Sequence, residues 1–251
     1  MIDAALTLRR LLFSSLRGTN DHPETRSSSL LGIPGPPVAV LPDTADTRLL
    51  IELTSHANDL SEAAHALGCA LTSGEDSELW MPLTAHAVTA YIRPFIHSNV
   101  RTRLDKMSVV PAIPANFQPV HDVIRNYRNT TIAHSQSTLV MPLPVAILDD
   151  RGKGVDVIGV SVTHQMPFVL AERFRDLIRA VEDIVEEATE LVLDRLRTWL
   201  KEQDTAAIGT WRLPVISEAL DADFTSVHRR KRTPQFTTYW RIWEPPQEPI
   251  R

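Results

Sequence analysis

Apolar residues recur at helical spacing through much of the chain. Leu49, Leu53, Ala57, Leu60, Ala64, Leu67 and Leu71 step by three or four, which predicts one amphipathic helix from about Thr47 to Ser73. Asp46 is placed to cap its start, and Ser73-Gly74 to stop it. Ser77 reads as the cap of a second helix running to about His97, with Trp80, Leu83, Ala87, Ala90 and Tyr91 as its stripe. Pro94 lies late in that pattern, where its missing N–H kinks or ends a helix. A third helix starts near Asn116, with Val120, Ile124 and Tyr127 as its buried face. The pattern then changes period. Leu139–Leu148 and Val155–Thr163 are β-branched runs around Asp149-Asp150-Arg151-Gly152-Lys153-Gly154, which predicts a β-hairpin over 138–163. Pro142 and Pro144 exclude the first run from a central strand. The longest helix comes next, from about Leu170 to Lys201, on the stripe Leu177, Val181, Ile184, Ala188 and Leu191, continued by Val192, Leu196 and Trp199. About 32 residues rise close to 48 Å, enough to span a bundle with length to spare for a partner.

The ends read differently. Residues 1–18 suit a short basic amphipathic helix without a cleavage site, so a secretory signal is rejected. A Pro/Ser-rich linker carries the chain to residue 46. Residues 202–251 form an irregular arm with a basic run, His228 to Arg232, and the aromatics Tyr239, Trp240 and Trp243. That arm suits docking on the bundle or a sister chain better than stacking on nucleic acid. The expected architecture is therefore mainly α: one helical bundle over 47–201 with an inserted hairpin and irregular extensions.

Composition narrows the function. The chain has 251 residues, with 26 Lys+Arg against 31 Asp+Glu, for a formal charge of −5. A generally basic nucleic-acid binder is excluded, so any such contact must be local. A single Cys excludes a disulfide framework and a Cys-based zinc site, and fits a reducing, cytoplasmic setting. No run approaches the 18 or so apolar residues that span a bilayer, so no membrane partner is expected. There is no G-x-S-x-G elbow, phosphate-binding loop, G-x-G-x-x-G or H-E-x-x-H. Glu62-Ala63-Ala64-His65 matches half of a two-metal carboxylate site, but facing helices offer no second copy. His86 and His97 lie about 16 Å apart along one helix, beyond the reach of a single metal.

The segment Arg125-Asn126-Tyr127-Arg128-Asn129-Thr130-Thr131-Ile132-Ala133-His134-Ser135 stands apart. Histidine exchanges protons near neutral pH, and arginine holds a permanent charge on a planar fork that fits phosphate oxygens. Together they supply what metal-free RNA cleavage needs: a proton-transfer group at the 2′-OH or leaving oxygen, and a cation for the phosphorane. Six residues turn a straight helix by about 600°, leaving Arg128 and His134 roughly 120° apart and 9 Å along the axis. They converge only if the helix ends before His134 or a second subunit completes the site. An Arg and a His at a helix end equally serve to cap its last carbonyls.

Arg128-Asn129 followed by Ile132-Ala133-His134-Ser135 resembles the hallmark of the HEPN superfamily, helical-bundle proteins in which His follows Arg after four to six residues and a polar residue, often Asn, follows the Arg. Tyr91-Ile92-Arg93-Pro94-Phe95 also resembles a helix-two element of abortive-infection-like members. The spacing itself also occurs at Arg17 and His22, so the flanking residues and the helix order over 47–201 carry the resemblance. It implies an antiparallel HEPN-like bundle and a metal-independent endoribonuclease with a toxin or phage-defence role. Arg128, Asn129 and His134 would be catalytic and Arg125 a contact to RNA, in a composite cleft across a homodimer. It implies no metal and no cofactor, and an antitoxin or regulatory protein as a further partner. Other members are non-catalytic modules that bind RNA, nucleotide or protein. Some toxins carry a modifiable Tyr two residues after the His. Gln136 stands there in this chain, which argues against control of that kind.

Overall fold

The computed structural model describes residues 38–134 and 136–212. The predicted N-terminal helix, most of the linker and the basic-aromatic end of the C-terminal arm lie outside the described residues. The described chain is mainly helical, with one two-stranded antiparallel sheet. Its order is α1 (Ala45–Ser73), α2 (Trp80–Ile92), α3 (Gln118–Tyr127), β1 (Val140–Leu148), β2 (Gly154–Thr163), α4 (Phe168–Lys201) and the short α5 (Thr205–Gly209).

Helix α1 begins two residues before the predicted start. Its cap is a reciprocal pair of threonines, not Asp46: Thr47 N donates to Thr44 Oγ1 (3.2 Å) and Thr44 N to Thr47 Oγ1 (2.7 Å). Two orphan donors at the helix start are thereby satisfied, the logic of a capping box. At the other end Gly74 takes φ +83°, the left-handed turn that closes a helix without a Cβ penalty. Helix α2 starts three residues after Ser77, whose hydroxyl accepts from Leu79 N at 3.2 Å. It gives way at Arg93–Phe95 to a single 3₁₀ turn around Pro94, as the missing N–H requires.

The chain divides into two compact units, one of them Leu49–Arg197. In that unit α2 is central, and aromatic side chains tie the other helices to it. Trp80 is fully buried, stacks on Phe168 with ring centroids 5.7 Å apart, and donates from Nε1 to the Met166 carbonyl at 2.8 Å. Tyr91 meets Phe174 of α4 edge-on at 5.2 Å, and its hydroxyl is hydrogen-bonded to Nδ1 of the buried His121 of α3 at 2.8 Å. The α4 stripe is Ala171, Phe174, Leu177, Ile178, Val181, Val185, Ala188, Val192 and Leu196. Leu191, expected inside, is 61% exposed, because the 3.6-residue turn drifts slowly from the 4-3-4-3 stripe and Val192 takes its place. In α3 the buried residues are Ile124 and His121, while Val120 and Tyr127 are half-buried.

Charges join α1 to α2 and to the loop beyond it. Arg93 forks onto Glu62 (2.7 and 3.1 Å) and also reaches Asp59 at 3.2 Å. Arg101 pairs with the buried Asp59 and donates to Ser55 Oγ at 2.7 Å. His86 lies 2.9 Å from Glu62. Glu62 is thus committed to two partners, and Arg93 holds its carboxyl below the usual range.

Beside this network His56 is fully buried. Its Nε2 lies 2.9 Å from the Thr102 carbonyl, which can only accept, so Nε2 carries the proton and Nδ1 is left without a partner. Burial, with the positive charge of Arg101, pushes the imidazole down to about pH 4, against the Thr102 hydrogen bond and the Asp59 charge. The unfolded chain therefore takes up this proton near pH 6.5 and the native chain only near pH 4. Stability is expected to be flat above pH 6.5 and to fall between pH 6.5 and 4, by roughly 1.4 kcal/mol per unit for this group. His121, lowered first by burial, adds in the same direction. Urea midpoints across that range check this; a His56→Gln variant, which keeps the donor, should flatten the fall.

The terminal unit contains residues 38–48 and 198–212 of the described chain. There Val40 N donates to the Arg212 carbonyl at 2.8 Å, and Trp199 stacks on Trp211 at 5.6 Å. Asp204 caps α5 by accepting from Ala207 N at 2.7 Å.

Candidate functional site

The Arg-to-His segment occupies the end of α3 and the turn beyond it. After Tyr127 the helix widens into a five-residue π-helical turn, Arg128–Ile132, closed by Ala133 N donating to the Arg128 carbonyl at 2.9 Å. Within it the Thr130 hydroxyl donates to the Asn126 carbonyl at 2.9 Å, as Thr54 and Thr84 do to the carbonyls four residues before them in the regular helices. Gln136 N then bonds the Thr130 carbonyl at 2.7 Å and folds the chain back. Helical structure therefore ends at Ile132, and Ala133-His134 form a turn after it. Such π-turns cost regular hydrogen bonding and concentrate at functional positions.

Arg128 and Asn129 are brought together: Arg128 Nη1 donates to Asn129 Oδ1 at 3.1 Å. Arg128 is half-buried, and Asn129, His134 and Arg125 are exposed. His134 makes no side-chain hydrogen bond with Arg128 or Asn129. Among the described residues neither His134 nor Arg125 has an ion-pair partner. The helix does end before His134, yet the end alone does not bring histidine and arginine into contact within one chain. Of the four groups, Arg125, Asn129 and His134 are open to solvent and Arg128 is partly covered and held to Asn129.

The other side of the same turn faces a cleft of about 630 Å³. Asn126, Tyr127, Thr130 and Thr131 line it from the motif, and Ser137–Leu139 with His164–Pro167 line it from the base of the hairpin. It contains no Asp, Glu, Lys or Arg. Burial pushes the Tyr127 hydroxyl up, so the phenol stays protonated and able to donate. Arg128, Asn129 and His134 are not among its lining residues. Sequence reading placed Tyr127 in the core and gave His164 no role. The strand pairing joins residues far apart in the chain, and no local pattern signals that.

Among the described residues no three His, Cys, Asp or Glu side chains are grouped to hold a metal ion. Glu62 is engaged by Arg93 and His86, while the exposed His65 has only the Cys69 sulfur at 3.8 Å. No described helix is long and apolar enough to cross a membrane. Comparison with family models, curated proteins and solved structures finds no match to this chain.

Proposed function

We propose that the protein is a metal-independent endoribonuclease of HEPN type, acting as a homodimer in the cytoplasm with a toxin or defence role. The observation that carries this reading is the π-turn Arg128–Ile132 at the end of α3. Arg125 lies on the helix before it, Arg128 and Asn129 within it and His134 just after it, each exposed or half-buried, with the arginines free of carboxylate partners among the described residues. A group that must grip a phosphorane cannot already be neutralised by a neighbouring acid. In this reading Arg128 holds the phosphate oxygens, Asn129 orients the Arg128 fork, and His134 moves the proton at the 2′-OH or the leaving oxygen. Arg125 contacts the RNA backbone. The separation of His134 from Arg128 within one chain is met by a second subunit, whose motif faces the first. The uncharged cleft beside the turn suits an RNA base, which needs apolar surface and hydrogen-bonding groups without charge.

A second reading is a non-catalytic HEPN module that binds RNA, nucleotide or a partner protein. What favours it is the missing contact between Arg128 and His134. The two separate on incubation of the full chain with varied single-stranded RNAs in EDTA. The enzyme leaves 2′,3′-cyclic phosphate ends, the product of attack by the neighbouring 2′-OH. Retention of intact RNA on the protein supports the module.

A further inference from the structure

The run Arg125-Asn126-Tyr127-Arg128 sets charged and neutral side chains on different sides of one helical turn. At about 100° per residue, Arg125 and Arg128 lie about 60° apart, while Asn126 and Tyr127 lie about 100° and 200° from Arg125 on the other side. The cleft of about 630 Å³ opens on that second side, where Asn126 and Tyr127 line it and neither arginine does. Its volume falls in the range of roughly 300–1,000 Å³ typical of small-molecule sites. A nucleotide whose phosphate sits on the arginine side can therefore turn its base around the helix end into the cleft.

The wall has the chemistry for a base. No Asp, Glu, Lys or Arg lines it, so a phosphate or carboxylate finds no counter-charge there. Val123, Leu139 and Leu170 give apolar surface, and Tyr127 adds an aromatic ring. Unstacked bases are held by such rings and by hydrogen bonds to their edges. The polar groups needed for those bonds are uncommitted. Neither the Tyr127 hydroxyl nor the Asn126 amide has a side-chain hydrogen bond among the described residues. Gln165 donates its amide nitrogen to the Glu75 carbonyl at 3.0 Å, which fixes the side chain and leaves its oxygen to accept. A purely apolar ligand would leave these groups desolvated and unpaired, and a charged one would lose its hydration for nothing.

We propose that this cleft is a base-reading subsite: it receives the uncharged nucleobase next to the phosphate held by Arg128, and Tyr127 and Asn126 hydrogen-bond its edge and set which base is cut beside. The subsite deepens the ribonuclease reading above and rests on it for the place of the phosphate. It makes Tyr127 and Asn126 specificity-determining residues, separate from the groups that act on the phosphate. A hydroxyl and an amide left unpaired by the wrong base discriminate by that loss.

Nucleosides carry no phosphate, so saturation-transfer NMR of the full chain with adenosine, guanosine, cytidine and uridine tests the subsite directly. At least one is expected to bind, in preference to the others, with an affinity unchanged between about 50 and 200 mM salt because no charge is involved. Tyr127→Phe and Asn126→Ala should each weaken that binding about three- to tenfold, one hydrogen bond apiece, with unchanged thermal melting. His134→Ala should bind nucleosides as the wild type does. On RNA, the wild type is expected to cut beside the nucleoside it binds best, and the two cleft variants to narrow that preference by the same factor. No nucleoside binding, binding that falls with salt, binding that both cleft variants leave unchanged, or equal cutting beside every base overturns the proposal. Wild-type cleavage without nucleoside binding removes the subsite and leaves the ribonuclease reading standing. Nucleoside binding by a wild type that leaves every RNA intact supports the cleft as a base site and removes the ribonuclease.

Discussion

Replacing His134 with alanine is expected to lower the rate of RNA cleavage by about 10²–10⁴-fold, the usual contribution of a positioned proton-transfer group. The loss should fall on kcat, because an exposed imidazole at the tip of a turn adds little to ground-state binding. Stability should be unchanged. His134 packs against nothing that its removal would leave open, and surface substitutions of this kind stay within about 0.5 kcal/mol. Arg128→Lys is expected to be nearly as harmful despite keeping the charge. An ammonium cannot reproduce the planar fork that holds Asn129 at 3.1 Å and two phosphate oxygens at once. Single-turnover rates on a fixed RNA in EDTA, with thermal melting of each variant, make the comparison.

The second large effect is on stability. Trp80→Ala is expected to cost about 3–5 kcal/mol, typical of deleting a large buried aromatic. Natural domains hold only about 5–15 kcal/mol in total, so the variant should approach unfolding at room temperature. Trp80 carries this weight because three things depend on it. It fills the core at full burial, it stacks on Phe168 at the start of α4, and its indole N–H satisfies the Met166 carbonyl. Met166 and Pro167 also line the cleft beside the motif, so Trp80 sets where the hairpin base and α4 meet. Trp80→Phe should cost less, since it keeps most of the apolar area and loses chiefly the hydrogen bond. Urea denaturation of the three proteins gives the order. Equal stability of wild type and Trp80→Ala would show that the α2–α4 junction is held elsewhere.

Much of the fold was legible because long helices repeat their signal. The stripe from Leu177 through Leu196 spans five turns, so misplacing Leu191 did not obscure α4. The hairpin was legible from a change of period and from Asp149–Gly154 between two β-branched runs. Helix starts were less legible. Asp46 and Ser77 are good capping residues by type, but Thr44 and Thr47 satisfy two donors reciprocally, and α2 begins only at Trp80. The charge network was not visible at all: Asp59 and Arg101 lie 42 residues apart and form no local motif. At the candidate site, sequence reasoning posed the right geometric question, whether the helix ends before His134. The answer lay in the π-turn at Arg128–Ile132, a change of backbone pitch that the residue spacing does not mark. The cleft was illegible for another reason. Half of its wall comes from residues 137–139 and 164–167, which the strand register brings beside Tyr127.

The central claim is the proposal that the segment from Arg128 to His134 cleaves RNA without a metal. The most direct measurement is cleavage of one labelled single-stranded RNA, in EDTA, by wild type and by His134→Ala at equal concentration and equal folded fraction. The account predicts cyclic-phosphate products from the wild type and essentially none from the variant. Equal cleavage by both, or intact RNA with the wild type, would contradict it.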